Sequence, residues 1–439
     1  MMGKHMDEAR QSTINYLRSL IDEVKPIERV VLIDDIFGLL RVVLWLKTDD
    51  KDELRKRINE ELKEKASPYW SEEIYFAPSE DEVEELFYER AWNEGLNDDS
   101  SESLRIVDRY RSHGSWLQST VKSPWKVTGK RGGPPIIVFY SFKGGVGRST
   151  ALSSFAIQRT RMGEKVTVID FDLDAPGIGV LLAADSKGTT APWGVLDYML
   201  ERPYGKVVLG DYVHACRREE VTGSGEIKVI PAGQMDERYP SKLSRIDFEI
   251  PQNGQKLHPF ILLLNQIRDE LKPDWLLIDA RAGLSEAAGL LLGGLAHMYV
   301  VFGTSSEQSW QGIRLILRRL GYQRVLEGES QLECLLVQAM ITDVSEVAKS
   351  AIESFKDRAR DEFAQYYYSA DPENEEDEED KDFWYVRDSD DEYAPHVPVA
   401  IRYQQFLAHF DVIDDVADRL TESPGYPDLA ERITSRFGK

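Results

Sequence analysis

A chain of 439 residues exceeds one small domain and suits two or three. With 42% apolar and 30% charged residues it can bury a sizeable core, which excludes a chain disordered throughout. A formal net charge of −23 sets it against nucleic acid and anionic membrane surfaces unless basic residues gather locally.

Ile14, Leu17, Leu20, Ile21 and Val24 recur at helical spacing, which predicts a helix from about Met6 to Val24. Arg29 to Ile33 and Leu40 to Leu46 are β-branched apolar runs on either side of Asp34-Asp35-Ile36-Phe37-Gly38, the pattern of a hairpin. Asp52 to Lys65 reads as a charged amphipathic helix, Glu73 to Phe76 as a strand and Glu80 to Trp92 as a helix. Residues 1–125 are thus expected to form a small α+β module, and no catalytic constellation occurs in it. The Gly-, Pro- and basic-rich stretch Ser123 to Pro135 has linker chemistry, and residues 126–134 are taken as the linker.

A different pattern fills residues 135–439. Ile136 to Tyr140 is a continuous apolar strand, Ser149 to Met162 a helix ended by Gly163, and Val166 to Ile169 another apolar strand. The alternation continues with helix Pro259 to Leu271, strand Trp275 to Ile278, helix Ser285 to Leu295 and strand Met298 to Phe302. Helix Ser309 to Leu320 and strand Leu332 to Val337 follow. Continuous apolar strands alternating with helices predict an α/β domain with a doubly wound, mostly parallel sheet. Insertions are expected near 184–255 and 345–395. The second contains the acidic run 371–382, which cannot bury surface and reads as a loop.

Cys216 and Cys334 form no CxxC and the histidines no HExxH, which argues against a zinc site or a disulfide framework. The opening residues MMGKHMDEAR lack the apolar core of a signal peptide. The longest apolar stretch, Ala287 to Phe302, is broken by Gly289, Gly293, Gly294 and His297 and is short for a membrane span. A cytoplasmic protein is expected.

Three segments carry chemistry. Strand Ile136 to Tyr140 feeds SFKGGVGRST, Ser141 to Thr150, which opens a helix. Glycines at such a junction let the amides of Gly144, Gly145, Val146 and Gly147 turn toward phosphate oxygens, and the helix N-terminus adds positive potential. Ser149, followed by Thr150, stands where a hydroxyl binds Mg2+. Against the strict GxxxxGK[ST] pattern, Phe142 replaces the first glycine and Arg148 the lysine. The second segment, VTVIDFDLDAPGIG, Val166 to Gly179, ends a strand in Asp170 and Asp172. The third, PDWLLIDARAGLS, Pro273 to Ser285, ends a strand in Asp279, with Gly283 four residues on.

Together these resemble the deviant phosphate-binding loop KGGxGK[ST], the aspartate pair and the DxxxG switch of the MinD/ParA superfamily of P-loop ATPases, in the KGGVGR form. The likeness covers about residues 135 to 425 without the insertions. It implies ATP and Mg2+ as cofactors and a homodimer in which Lys143 reaches the partner's nucleotide. It implies that Asp172 orients the attacking water or organises Mg2+, that Asp279 acts on the Mg2+ shell through water or Ser149, and that the Gly283 amide senses the γ-phosphate. Gln338 matches an adenine-contacting position, and HVPVAIRY, His396 to Tyr403, with Pro398, a loop covering the base. Arg148 can pair with phosphate, bidentately and always charged, but its bulk implies slow or altered hydrolysis.

The resulting expectation is an ATP-dependent switch, hydrolysing ATP to ADP and phosphate, that dimerises around nucleotide. It would regulate a protein partner held by the N-terminal module or the acidic loop. One alternative is a non-hydrolysing nucleotide sensor or adaptor. Another is a ParA-like DNA-partitioning ATPase, for which Arg314, Arg318 and Arg319 on one helix could meet phosphates. A redox relative would need cysteines soon after Asp279, where none stands. A tyrosine autokinase would use a cluster such as Tyr366 to Tyr368, here internal and read as packing. The tail stripe Leu429, Ile433 and Phe437 is read as packing on the domain rather than as a membrane anchor.

Overall fold

The computed structural model describes residues 5–438 apart from 26, 47–50, 99, 110–113, 118–120, 128–131, 184–191, 217, 251–256, 327, 371–383 and 409–412. The acidic run 371–382 therefore lies outside the described residues. The chain divides into two compact units, Met1–His113 and Gly114–Lys439.

The first unit runs α1 (Met6–Glu23), β1 (Ile27–Asp34), β2 (Leu40–Leu46), α2 (Lys51–Ala66), β3 (Trp70–Ala77), α3 (Glu82–Glu94), β4 (Leu96–Asp98) and β5 (Ser101–Asp108). Its five strands lie in the order β3-β2-β1-β5-β4. The expected hairpin forms, with Val31 opposite Val43 in an antiparallel β1–β2 pair. Both faces of these strands are apolar because both are covered. Val30, Leu32, Val42 and Leu44 pack with residues of α1 and α2, while Val31, Ile33, Val43 and Trp45 pack with Tyr88 and Ala91 of α3. Strand β5, parallel to β1, had no clear sequence signal, since SESLRIVD buries only Leu104 and Val107.

The second unit is built on β6 (Ile136–Ser141), β7 (Lys165–Phe171), β8 (His214–Ala215), β9 (Glu226–Ile230), β10 (Trp275–Ala280), β11 (Met298–Gly303), β12 (Cys334–Ile341) and β13 (Val399–Arg402). The eight strands lie in the order β13-β12-β11-β6-β10-β7-β9-β8, parallel except for the β8–β9 pair. Alternate residues of each strand serve two cores. Ile136, Val138 and Tyr140 face one, and Ile137 and Phe139 the other. This two-sided burial is why the strands read as unbroken apolar runs. Leaving β6, the chain makes helix α4 (Arg148–Arg161) and returns as β7, two places along with β10 between, so the β6–α4 loop opens beside the ends of β10 and β7.

Some helices differ from expectation. The helix expected at Ser285 to Leu295 spans only Glu286–Leu291, and Gly294 follows at φ 117°. The helices Pro259–Gln266 and Glu307–Leu317 each continue into a wider π turn. A helix of 22 residues, Ser345–Tyr366, occupies the start of the region expected as an insertion. Tyr367 and Tyr368 are buried, as are Leu429 and Ile433, and the Phe437 ring packs 6.0 Å from that of Trp275. No described helix is long and apolar enough to cross a membrane.

Near its start the second unit clamps its own chain onto the helix Glu286–Leu291. Ser115 N donates to Glu286 Oε2 at 2.7 Å, Ser115 Oγ to the Glu286 carbonyl at 2.6 Å, and Trp116 Nε1 to the Ser285 carbonyl at 2.7 Å. Arg319, buried below, donates to the carbonyls of Trp116 and Ser115 at 2.8 and 3.1 Å. Gly289 allows this approach, because a Cβ there would meet Ser115 Oγ and the Trp116 ring.

Candidate nucleotide-binding site

The loop after β6 turns through Gly145 (φ 73°) and Gly147 (φ 84°), both in the left-handed region that side chains disfavour. Gly147 is the N-cap of α4, and no side chain caps that helix. The amides of its first turn are left for an external acceptor, at the positive end of a helix of 14 residues. A Cβ added at Gly144, Gly145 or Gly147 would meet no atom, so the loop borders open space. Phe142 has its own seat. It packs on Gly312 of the helix Glu307–Leu317, where a Cβ would fall on its ring.

The loop lines a cavity of about 650 Å³. Ser141, Phe142, Gly144, Gly145, Val146, Gly147, Arg148, Ser149 and Thr150 form one end, joined by Asp172, Ala175, Arg281 and Ala282. The other end is Met340, Ile401, Arg402, Tyr403, Gln404, Leu407 and Tyr426. Most of this second group carried no signal in the sequence. Each residue is ordinary alone, and only β12, β13 and the last helix bring them together.

The carboxylates of the second and third segments meet because β7 and β10 are neighbours, with Asp170 in register with Asp279. Asp170 faces inward. Its Oδ2 accepts from the amides of Gly177 and Gly179 at 3.2 and 3.1 Å, and its Oδ1 from Asp172 N at 3.3 Å. Burial, with Asp279 and Asp172 close by, pushes its carboxyl up to about 7. Asp170 thus holds the turn that presents Asp172.

Arg148 is the centre of the site. Its Nε donates to Asp279 Oδ1 at 2.6 Å and its Nη2 to Asp172 Oδ2 at 2.9 Å, with the side chain buried. Ser149 Oγ donates to Asp279 Oδ2 at 2.6 Å. Arg281 Nη1 donates to Asp172 Oδ1 at 3.2 Å, which also accepts from Ala175 N at 3.2 Å, and Arg281 Nε lies 3.5 Å from Asp174 Oδ2. The residues expected to hold Mg2+, Ser149, Asp172 and Asp279, therefore come together, yet every oxygen of the two carboxylates already accepts a hydrogen bond. As arranged, they do not fit a magnesium ion. Among the described residues no group of three or more His, Cys, Asp and Glu side chains forms a metal site elsewhere.

Other expected residues lie apart from the cavity wall. Lys143 is exposed and makes no ion pair among the described residues. Gly283 donates its amide to the Ser141 carbonyl at 3.1 Å, and Arg281 and Ala282 face the cavity instead. Gln338 is buried, with Nε2 donating to the Ala351 carbonyl at 3.1 Å, and does not line the cavity. Pro398 is also outside it, where Ile401 to Gln404 supply the wall. The three arginines considered for DNA are engaged within the fold. Arg314 is bound to Glu362 at 2.7 Å, Arg318 lies 4.6 Å over the Tyr366 ring, and Arg319 clamps Ser115 and Trp116.

No family model matches this chain. It is 30% identical over 152 residues to cytosolic Fe-S cluster assembly factor CFD1 of Chaetomium globosum, a match spanning 34% of this chain and 43% of that protein. It thus spans less than half the length of that relative. It is 26% identical over 227 residues to an uncharacterized ATP-binding protein of Methanocaldococcus jannaschii, across 48% of this chain and 74% of the other. Among solved structures it is similar to the MinC:MinD cell division protein complex of Aquifex aeolicus, at 15% identity and a TM-score of 0.41, covering 70% of this chain and 96% of that one. Both cysteines here are free, Cys334 in β12 and Cys216 beside β8 at the far edge of the sheet, so they do not meet in one site. The glycine loop on the central strand and the aspartates ending the neighbouring parallel strands give the chain the arrangement of a P-loop protein, and its sequence is similar to an Fe-S cluster assembly factor and to an ATP-binding protein.

Proposed function

We propose that the second unit binds ATP in this cavity and acts as a nucleotide-governed switch whose bound state is a homodimer. The observation that carries the reading is the uncapped start of α4, which opens on the cavity with Arg148 and Ser149 between the ends of β7 and β10. Phosphates would take the loop amides, and Arg281 stands across the cavity as a second cation. The far wall, with Met340, Ile401, Leu407 and two tyrosines, suits a purine, and the Methanocaldococcus relative is named for ATP binding.

Lys143 supports the dimer. It is exposed on the rim and pairs with no described residue of its own chain, so a second copy's phosphates would give it a contact available only with nucleotide bound. Purified protein should double in mass on adding ATP, as read by light scattering. Lys143→Ala should stay monomeric with ATP while still binding it, and an unchanged mass shift in the variant would remove the lysine from the dimer.

A specific observation favours a second reading, a sensor with little turnover. Asp172, the candidate to orient water, has both oxygens engaged by Arg148, Arg281 and Ala175 N. Phosphoryl transfer relies on placement and charge neutralisation, and a carboxylate held this way is not free to direct a water molecule. Single-turnover hydrolysis separates the two: ADP formation coupled to loss of the dimer supports the switch, and stable ATP-bound dimers support the sensor.

A further inference from the structure

A divalent cation in a phosphate-binding loop neutralises carboxylates on one side and phosphate oxygens on the other. Here one residue already has both faces. The Nε and Nη2 edge of Arg148 holds Asp279 and Asp172 at 2.6 and 2.9 Å. Among the described residues its Nη1 makes no hydrogen bond, and the residue lines the cavity. We propose that the Arg148 guanidinium takes the place of magnesium, so that this site binds ATP without a divalent cation. The proposal rests on the nucleotide reading above.

Charge and geometry both favour it. Two guanidinium groups, Arg148 and Arg281, already hold the carboxylates Asp172 and Asp279, and Arg281 also lies 3.5 Å from Asp174 Oδ2. Ser149 Oγ and Ala175 N add hydrogen bonds to Asp279 Oδ2 and Asp172 Oδ1. To bind these carboxylates, Mg2+ would need near-octahedral oxygen ligands and would have to expel a buried, doubly paired guanidinium. ATP brings phosphates that need cations, and Arg148 can offer Nη1 without releasing either aspartate. A lysine ammonium also has three N–H donors, but all on one compact nitrogen, so it lacks the planar fork that holds two carboxylates along one edge and leaves a separate nitrogen for phosphate. The departure from lysine at position 148 is then the device that makes the metal dispensable.

The test is calorimetric titration of the full chain with ATP, once in EDTA and once in excess magnesium chloride. Affinities within about threefold of each other are expected for the wild type. Arg148→Lys should bind in magnesium and weaken by about tenfold or more in EDTA. Wild-type binding that falls more than about tenfold in EDTA overturns the proposal while leaving the nucleotide reading intact. Folded wild-type protein that binds ATP under neither condition overturns the nucleotide reading itself. The wild-type comparison decides even where Arg148→Lys fails to fold.

Discussion

Arg148 and Asp279 are buried together, and the pair matters most through what happens when one partner is lost. Removing a partner strands the other charge away from water, which costs about 3–5 kcal/mol for buried pairs. Asp279→Ala should therefore destabilise the second unit by about 3 kcal/mol, measured by urea unfolding followed through tryptophan fluorescence. A loss under about 1 kcal/mol would mean that Asp172 alone satisfies Arg148. At this scale the sequence was a good guide to where the chemistry lies and a poor guide to who pairs with whom. Spacing within the three segments places Arg148 and Ser149 at a helix start and Asp172 and Asp279 at strand ends. It says nothing about whether the arginine points at phosphate or turns back on the aspartates, because that depends on the register of β7 and β10. Gly283 shows the same limit, its amide being spent on Ser141.

Among the elements, the loop and the helix Glu307–Leu317 are coupled through Phe142 and Gly312. The aromatic ring at the usual first-glycine position is tolerated because a distant glycine leaves room for it. Gly312→Ala should lift Phe142 and misplace the loop amides, weakening ATP binding by about tenfold or more in a protein that still folds, as titration and circular dichroism would read. Unchanged affinity would mean that the ring can move without the loop. The parallel strands of the second unit were legible because both faces are covered, leaving long apolar runs. Strand β5 was not, because most of its side chains are only half-buried. The helix Ser345–Tyr366 was missed for a related reason. Its buried stripe is narrow, chiefly Ala348, Phe355, Ala359 and Phe363, and Glu362 interrupts it.

For the whole molecule, acid sensitivity has a candidate source outside the site. His396 is packed against Phe363 and hydrogen-bonded to Tyr368 Oη at 2.8 Å. Burial, reinforced by Arg360, Lys356 and Arg432, holds its imidazole down to about 4 from the ordinary 6.5. Between those values the unfolded chain binds a proton that the folded protein refuses, so stability falls as pH drops through the window. Urea midpoints at about pH 7 and about pH 5 should differ less in His396→Gln than in the wild type. Equal differences would move the acid sensitivity elsewhere. The overall architecture, an α+β unit followed by a doubly wound unit, was readable from periodicity and composition. Of the cavity's far wall, only Ile401 to Tyr403 lay in a stretch the sequence singled out, while Met340, Gln404, Leu407 and Tyr426 are gathered only by the closed fold.

The clamp of Ser115 and Trp116 also decides where this unit can be cut. A fragment begun at Pro135, next to the first strand, would remove two carbonyl acceptors from Arg319, the amide and hydroxyl that satisfy Glu286, and the indole that covers Gly289. Ser115 and Trp116 are thus part of this unit's foundation. Anyone dissecting the protein should place the scissors before Gly114, and a shorter fragment should melt earlier and be trimmed faster by protease.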